Sequence, residues 1–261
     1  MSTATAVDPG TQVTGATVAT ERPGLARWIV QPLVCVAVVV GALVYVNRAS
    51  VSDSERRSLS VDNLTTLLGQ HMFISVAATV LTCVIAIPLG VLLTRGAMRR
   101  FSKPVITVAG FGQAAPAIGL IALGAVVFDV GRTGAIAALT VYGVLPIVAN
   151  TVTGLDGVDS RLVEAARGMG MSAVSTLLRV ELPLALKVIV AGVRTALVLI
   201  VGTASLATFT GAGGLGNLIT TGITLQQNVV LVVGAILVAA LALFIDWLAR
   251  LVELVAAPKG L

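Results

Sequence analysis

Four of the chain's few charged residues lie in one stretch of twenty residues, Glu164 to Pro183, which reads EAARGMGMSAVSTLLRVELP. This stretch, called the polar segment below, is flanked on both sides by apolar sequence. Charges at this density can form ion pairs with a second protein, and they support the hypothesis of a docking surface. The alternative is an amphipathic connector that lies on the inner surface of a membrane.

Residue types that commonly carry catalysis or bind metals are scarce. The chain has one histidine, His71, and two cysteines, Cys35 and Cys83, which both lie in apolar stretches. Free thiols are expected there and not a disulfide, and the ligands for a metal site are missing. No pair of carboxylates lies within one apolar span. We therefore expect no catalytic residue, no metal and no cofactor in this chain.

A glycine-rich loop, TGAGGLGN, places Gly211, Gly213 and Gly216 at the G-x-G-x-x-G spacing of dinucleotide sites. That motif requires a preceding strand and an acidic residue about twenty positions later, whereas an apolar span precedes this loop and position 236 is Ile. We instead expect Gly211, Gly213, Gly214 and Gly216 to permit tight turns or close packing at the outer end of a pathway. The ATP-binding pattern G-x-x-x-x-G-K-[ST] does not occur in the sequence, so ATP would have to be bound by a partner.

The elements that position these residues are expected to be membrane spans. The 261 residues are 57% hydrophobic and 11% charged, with a mean hydropathy of +1.02, whereas about a quarter of the residues in a soluble domain are charged. Continuous apolar stretches indicate helices and not a β-barrel. The expected fold is an all-α polytopic membrane protein, and its net charge of +5 reflects topology and not nucleic-acid binding.

Six spans are predicted, at residues 28–46, 70–93, 104–128, 135–152, 184–209 and 229–248. The third is interrupted by GFGQAAP, and residues 205–228 form either a loop or a re-entrant segment. The predicted divisions are a flexible cytoplasmic tail at 1–24, the first span and outer loop at 25–69, the main transmembrane domain at 70–255 with its cytoplasmic loop at 153–183, and a cytoplasmic tail at 256–261.

The distribution of Lys and Arg predicts that the N-terminus and the polar segment are cytoplasmic. In that orientation twelve basic residues lie inside and four outside, as the positive-inside rule requires. The inner ones are Arg22, Arg27, Arg95, Arg99, Arg100, Lys103, Arg161, Arg167, Arg179, Lys187, Arg250 and Lys259, and the outer ones are Arg48, Arg56, Arg57 and Arg132.

The polar segment is predicted to form two short helices. Asp159 or Ser160 caps the first, in which Leu162, Ala166 and Met169 share one face. Gly168 and Gly170 permit a stop and a turn, Ser172 caps the second helix, and Pro183 interrupts it before the next span. A helix this short is unstable alone in water, so it must pack against something.

Polar residues near the spans are candidates for lining a path across the membrane, because a broken or polar span must face protein or a cavity. The candidates are Gln113, Pro116, Asn150, Thr203 and Thr208. Each could instead serve helix packing. Arg194 is either functional or extended to the inner interface, Asp246 is expected to be interfacial or paired, and His71 is expected at the outer membrane boundary.

The polar segment resembles the cytoplasmic loop of the permease subunits of binding-protein-dependent ABC importers. That family's pattern is Glu-Ala-Ala, three residues, Gly, nine residues, an aliphatic residue, any residue and Leu-Pro. The matching positions here are Glu164, Ala165, Ala166, Gly170, Val180, Leu182 and Pro183. Val180 stands where Ile is commoner and keeps the aliphatic character.

The resemblance implies the type I permease fold of these importers, with about six transmembrane helices, and a set of partners. The loop would dock in a cleft of a separate ATPase subunit that binds ATP and Mg²⁺, with Ala165 and Ala166 allowing close approach, Gly170 permitting the turn and Glu164 pairing with partner donors. The ATPase pair would then move the attached spans as rigid bodies. A second permease subunit, the same or homologous, and an extracytoplasmic substrate-binding protein would complete the importer in the cell membrane.

Residues 192–219, the stretch AIPLGVLL and the stretch YGVLPIVANTVTGL resemble the osmoprotectant branch, which imports glycine betaine, carnitine or choline. The likeness covers about residues 65–255. Methionine and phosphonate permeases have similar glycine-rich loops and remain alternatives. An ion-gradient-driven transporter is less favoured, because it would need carboxylates within the spans. The ten aromatic residues are scattered, so the solute is expected to be recognised mainly by the binding protein.

Overall fold

The computed structural model describes residues 25–256, and every described element is helical. The predicted tail at 1–24 and, except for Ala256, the predicted tail at 256–261 lie outside the described residues. The longer helices are α1 (Leu25–Arg48), α3 (Val61–Leu93), α4 (Ser102–Ala114), α5 (Ala117–Val127), α6 (Arg132–Asp156), α9 (Leu182–Thr203) and α11 (Asn228–Ala256). The shorter ones are α2 (Asp53–Ser58), α7 (Ser160–Gly168), α8 (Ala173–Thr176) and α10 (Gly216–Thr224), with 3₁₀ turns at Gly96–Phe101 and Ala204–Thr210.

Five helical segments in the described part of the chain are long and apolar enough to cross a membrane, and there are six if the bent pair Gly96–Ala114 and Ala117–Val127 forms one span. The predicted all-α polytopic fold with about six spans is therefore confirmed. The break in the third span is also where GFGQAAP predicted it, and the two halves meet at 99°. Its cause is Pro116, which lacks an N–H and forces Ala115 to be extended, with ψ 145°.

Helix α3 is longer than predicted, because it begins at Val61 and not at Gln70. The Ser60 hydroxyl accepts from the Asn63 N–H at 3.4 Å and caps it. At 1.5 Å per residue its 33 residues extend about 50 Å, well beyond a hydrocarbon core of about 30 Å. The structure adds a contact for His71, whose expected depth at the outer membrane boundary stays a prediction. Its side chain is completely buried, and its Nε2 lies 2.9 Å from the Val201 carbonyl oxygen of α9.

Helix α6 lies at the centre, with α3 packed on one side and α9 on another. Small residues let these helices approach closely. A methyl group on Gly143 would come within 2.8 Å of the Ile200 side chain, and one on Gly90 within 2.6 Å of Thr151. Contacts this close give van der Waals attraction where the surrounding lipid offers no hydrophobic driving force. The core therefore lies between α3, α6 and α9. Helix α5 packs against the part of it that contains Ile74, Leu139 and Ile200.

Candidate functional site

The first half of the polar segment forms the separate helix α7, with a defined start and end. The Asp159 carboxylate accepts from the Arg161 N–H at 2.9 Å, which confirms the predicted N-cap. At the other end, the N–H of Gly170 donates to the Arg167 carbonyl at 2.9 Å and that of Met171 to the Ala166 carbonyl at 3.1 Å. This is the Schellman pattern, which needs a left-handed residue at Gly170. Gly170 has φ +85°, so the sharp turn predicted there is confirmed.

Replacing Gly170 by Ala is expected to destabilise this end of α7 by about 1–2 kcal/mol, because an L-residue is strained in the left-handed region. Nothing lies within 4 Å of the position a methyl group would take, so the cost is conformational and not steric. Hydrogen exchange at Met169 and Met171 should rise roughly five- to thirtyfold. Gly168 is the control. It is helical and equally uncrowded, and its change to Ala should leave exchange unchanged or slower. Equal exchange in the two variants would contradict the assignment.

The second half differs from the prediction of a short helix interrupted by Pro183. Ser172 caps α8 as expected, accepting from the Ser175 N–H at 3.2 Å. The chain then makes one π-helical turn, Leu177–Glu181, and enters α9 with Pro183 in the first turn of that helix. In the π turn the Leu182 N–H bonds the Leu177 carbonyl, five residues back. This wider turn shifts the hydrogen-bond register just before Pro183, which has no backbone N–H to donate. The segment is thus joined to the α9 span by continuous helix.

The solvent-exposed surface of the polar segment carries most of its charged side chains and much of its apolar area. Glu164 and Ala165 are exposed, and within the described residues Glu164 has no hydrogen-bond or ion-pair partner. Ala166 is turned inward and is 2% exposed. The three residues predicted to share one face, Leu162, Ala166 and Met169, differ in burial, since Leu162 is 47% and Met169 78% exposed.

Two ion pairs hold the polar segment and the end of α6 to the connection between α3 and α4, which contains Arg95 and Arg99. Arg95 pairs with Glu181, whose side chain is 6% exposed, and the pair is partly buried. Arg99 pairs with Asp156 at 3.1 Å on the surface. From the sequence, Glu181 was one charge of the polar segment and Arg95 one of the basic residues predicted to lie inside, and no contact between them was predicted. Opposite charges in two loops expected on the same side of the membrane were the one signal for this contact.

The remaining motif residues lie where the segment joins α9. Leu182 packs beside Leu155, Ala185 and Ile189, whereas Val180 is half-buried and Pro183 is exposed. A small mixed cavity of about 250 Å³ lies next to this junction, lined on one side by Leu162 and Leu184. The junction, residues 180–183, is therefore packed against the helical bundle, and α7 extends away from it.

The five candidates for a translocation path are not gathered at one depth. Gln113 and Pro116 lie at the break between α4 and α5, Asn150 is six residues from the C-terminal end of α6, and Thr203 ends α9. Asn150 donates to the Pro146 carbonyl of its own helix at 2.7 Å and packs against Gly192. Thr208 bonds the Asn217 side chain. For these last two residues the contacts indicate helix packing and loop support.

The glycine-rich loop is packed between helices. Gly211, Gly213 and Gly214 have φ of +73°, +87° and +93°, and a methyl group on Gly216 would lie 1.9 Å from the Ser205 carbonyl oxygen. These turns and close contacts match the geometry expected of the four glycines. The loop contacts Gln70, whose Oε1 accepts from the Gly214 N–H at 3.0 Å. Gln70 is about 14 Å along α3 from Val61, so the loop packs beside the first half of α3, and its expected place at the outer end of a pathway stays a prediction.

Comparison with known proteins is consistent with this geometry. Residues 86–254 match the family model described as the binding-protein-dependent transport system inner membrane component. The chain is 41% identical over 193 residues to the glycine betaine/carnitine/choline transport system permease protein OpuCB of Bacillus subtilis, covering 74% of this chain and 88% of that protein. It is 38% identical over 203 residues to the osmoprotectant import permease protein OsmW of Salmonella typhimurium, covering 76% and 94%.

Solved structures of the MetNI methionine ABC transporter in inward-facing conformations have the same fold. One aligns with a TM-score of 0.65 at 22% identity, covering 75% of this chain and 96% of that chain. A second crystal form gives a TM-score of 0.64 at 23% identity, with the same coverage. At this identity the likeness concerns the fold alone.

Proposed function

Since this chain belongs to the family of binding-protein-dependent transport system inner membrane components, we propose that it forms the translocation path of an ATP-driven importer for a small compatible solute such as glycine betaine, carnitine or choline. Its family consists of transport permeases and not of enzymes. It is a multi-pass membrane protein. We further propose that its N-terminus and the polar segment face the cytoplasm of the cell, as the distribution of basic residues favours.

The observation that carries the proposal is the form of the polar segment. It presents a capped helix whose exposed Glu164 carboxylate has no partner among the described residues, and its second half continues without a break into α9, which packs against the central helix α6. Because α7 packs against α8 and the π turn, a partner that moves α7 would also displace the helix that leads into α9. An amphipathic connector lying flat on the membrane would need no rigid junction of this kind.

The partner of the polar segment is proposed to be a separate ATPase subunit, which binds ATP and Mg²⁺. Glu164, Ala165 and Met169 lie on the surface that would enter its cleft, and Gly170 sets the turn that ends this surface. Closure of two such subunits on ATP would shift α7 and the attached spans as rigid bodies. A second permease subunit and an extracytoplasmic binding protein would complete the assembly.

The proposed solute class rests on the relatives, which are named for glycine betaine, carnitine and choline transport. The chain itself has only ten aromatic residues, whereas quaternary ammonium groups are held by aromatic cages. We therefore place the main selection of the solute in the binding protein. The path through this chain then needs only to let the released solute pass.

Uptake into proteoliposomes that contain the assembled importer tests this function. Radiolabelled glycine betaine, choline or carnitine should accumulate only when both ATP and the binding protein are supplied, and uptake should continue after a protonophore collapses ion gradients. Methionine and a phosphonate serve as competing solutes. Uptake of either one in place of all three ammonium compounds would overturn the solute class, and uptake that needs a gradient but no ATP would overturn the ATP-driven mechanism.

A further inference from the structure

Arg194, which lies within the α9 span, is bound by two carboxylates of α11. Its Nε donates to Asp246 Oδ1 at 2.7 Å, and its Nη1 donates to Glu253 Oε2 at 3.2 Å. Asp246 and Glu253 are seven residues apart and therefore lie on one face of α11, two turns from each other. One guanidinium thus joins α9 to two successive turns of α11.

The same carboxylate of Asp246 also binds α1. Its Oδ2 accepts from Gln31 Nε2 at 2.8 Å, and from Arg250 Nη2 at 3.1 Å. The Gln31 amide makes a second bond to the Leu243 carbonyl at 3.0 Å. We call Gln31, Arg194, Asp246, Arg250 and Glu253 the ion cluster. It holds two positive and two negative charges, and it joins α1, α9 and α11.

Stability alone does not account for the ion cluster. Partly buried ion pairs lose much of their Coulomb attraction to desolvation, and apolar side chains of similar volume often hold helices as well. What a guanidinium adds is a planar, forked set of donors that fixes the relative position of its acceptors. The expectation that Arg194 merely extends to the inner interface does not fit, because its donors are engaged by two carboxylates and its side chain is 25% exposed.

The position of Arg194 links the ion cluster to the polar segment. Arg194 lies eleven residues beyond Pro183 on the same helix, about 16 Å along its axis. Because α8, the π turn and α9 are continuous, a displacement of α8, against which α7 packs, carries Arg194 with it. Any such displacement would be transmitted to Asp246 and Glu253, because the Arg194 guanidinium bonds both carboxylates in fixed directions.

Helix α1 is attached to α11 in a way that would make it move together with α11. It lies outside the residues that match the family model, 86–254, and its contacts to α11 include the Gln31 bonds and the packing of Cys35 beside Ala240. An apolar groove of about 460 Å³, lined by residues that include Val40 of α1, Leu68 of α3 and Leu241 of α11, separates α1 from α3. Helix α1 is thus attached to α11 and spaced away from α3.

From this arrangement we infer that Arg194 is a positioning residue for energy coupling. It transmits movement of α9 to α11, and through Asp246 and Gln31 to α1, so that the three helices move as one body. The inference rests on the proposed ATP-driven function. If the unaltered importer shows no ATP-dependent uptake, the proposed function fails. If it does transport, the variants below test the ion cluster alone.

The test measures uptake and ATP hydrolysis in the same proteoliposomes, using the complete importer with its ATPase and binding protein. For Arg194→Gln we expect the solute transported per ATP to fall about tenfold, while hydrolysis stays within about twofold of the unaltered importer, because the docking surface is untouched. Arg194→Lys keeps one charged donor and should recover at least about a third of the transport ratio. Lys187→Gln, an exposed basic residue on the same helix, is the control and should behave like the unaltered importer.

An unchanged transport ratio in Arg194→Gln would overturn the inference, and so would a parallel loss of uptake and hydrolysis, since that indicates a purely structural role. If Arg194→Gln does not accumulate in the membrane, Glu253→Gln decides, because it removes one of the two carboxylates and leaves the Asp246 bond in place. A ratio lowered about threefold in that variant supports the inference, and an unchanged ratio overturns it.

Discussion

Uptake by the Glu164→Ala variant is expected to fall to a few per cent of the unaltered importer or less, with normal insertion of the chain into the membrane. Glu164 is exposed and has no partner among the described residues, so its removal costs this chain little. In the assembled importer, however, it would leave donors of the ATPase cleft unpaired. Truncation of such a central interface residue costs about 2–4 kcal/mol, or roughly a 30- to 1,000-fold loss of affinity.

Two measurements check this result, namely solute uptake and the amount of ATPase that co-purifies with the tagged permease. Asp62→Ala removes an equally exposed carboxylate at the opposite end of the fold and should change neither. Glu164→Gln keeps an acceptor and should be intermediate. Full uptake together with full ATPase recovery in Glu164→Ala would argue strongly against docking at the polar segment. A loss of the permease itself from the membrane would point to a structural role instead.

Replacing Arg95 by Ala is expected to be the most destabilising change at the end of the fold that carries the polar segment. Its partner Glu181 has a side chain that is only 6% exposed, and it would be left as a buried charge without a partner. Removing one member of such a pair costs about 3–5 kcal/mol. Because Glu181 lies in the π turn that leads into α9, the expected consequence is loss of order where the polar segment joins α9.

The loss should appear as a lower Tm of the detergent-solubilised protein and as faster proteolysis between Gly170 and Pro183. Arg99→Ala is the matched control in the same loop, since its pair with Asp156 is exposed and worth about 0–1 kcal/mol. Replacing both Arg95 and Glu181 by apolar residues should restore much of the stability, because no charge is then left unpaired. Equal effects of the Arg95 and Arg99 changes would refute the assignment of a buried pair.

Much of the fold could be predicted because its signals are local along the chain. A run of apolar residues identifies a span wherever it packs, and Pro116 breaks the third span because of its own missing N–H. The ends of α7 were equally readable, since Asp159 acts on the next turn and Gly170 on its own backbone. Continuous helix across Pro183 was not predicted, because it depends on a π turn that shifts the hydrogen-bond register before the proline.

The interactions between segments could not be predicted, because they depend on which residues the fold brings together. Only the fold shows that the His71 side chain is buried against α9 and next to the glycine-rich loop. Ala166 is buried whereas Met169 is exposed, and this difference depends on how α8 and the π turn pack against α7. The path candidates were selected by polarity, yet a bond such as that from Asn150 to Pro146 satisfies a polar group within its own helix.

By itself, the sequence determined the all-α membrane fold, the orientation that its basic residues favour and the spacing of the polar segment, because hydropathy, charge and backbone preference act over a few residues. The tertiary structure alone decided how that segment is attached. The partners Arg95 and Glu181 lie 86 residues apart, Arg194 and Asp246 lie 52 apart, and Gln31 and Asp246 lie 215 apart. A charge indicates that it needs a partner, but only the packing of α1, α9 and α11 determines which residue that partner is.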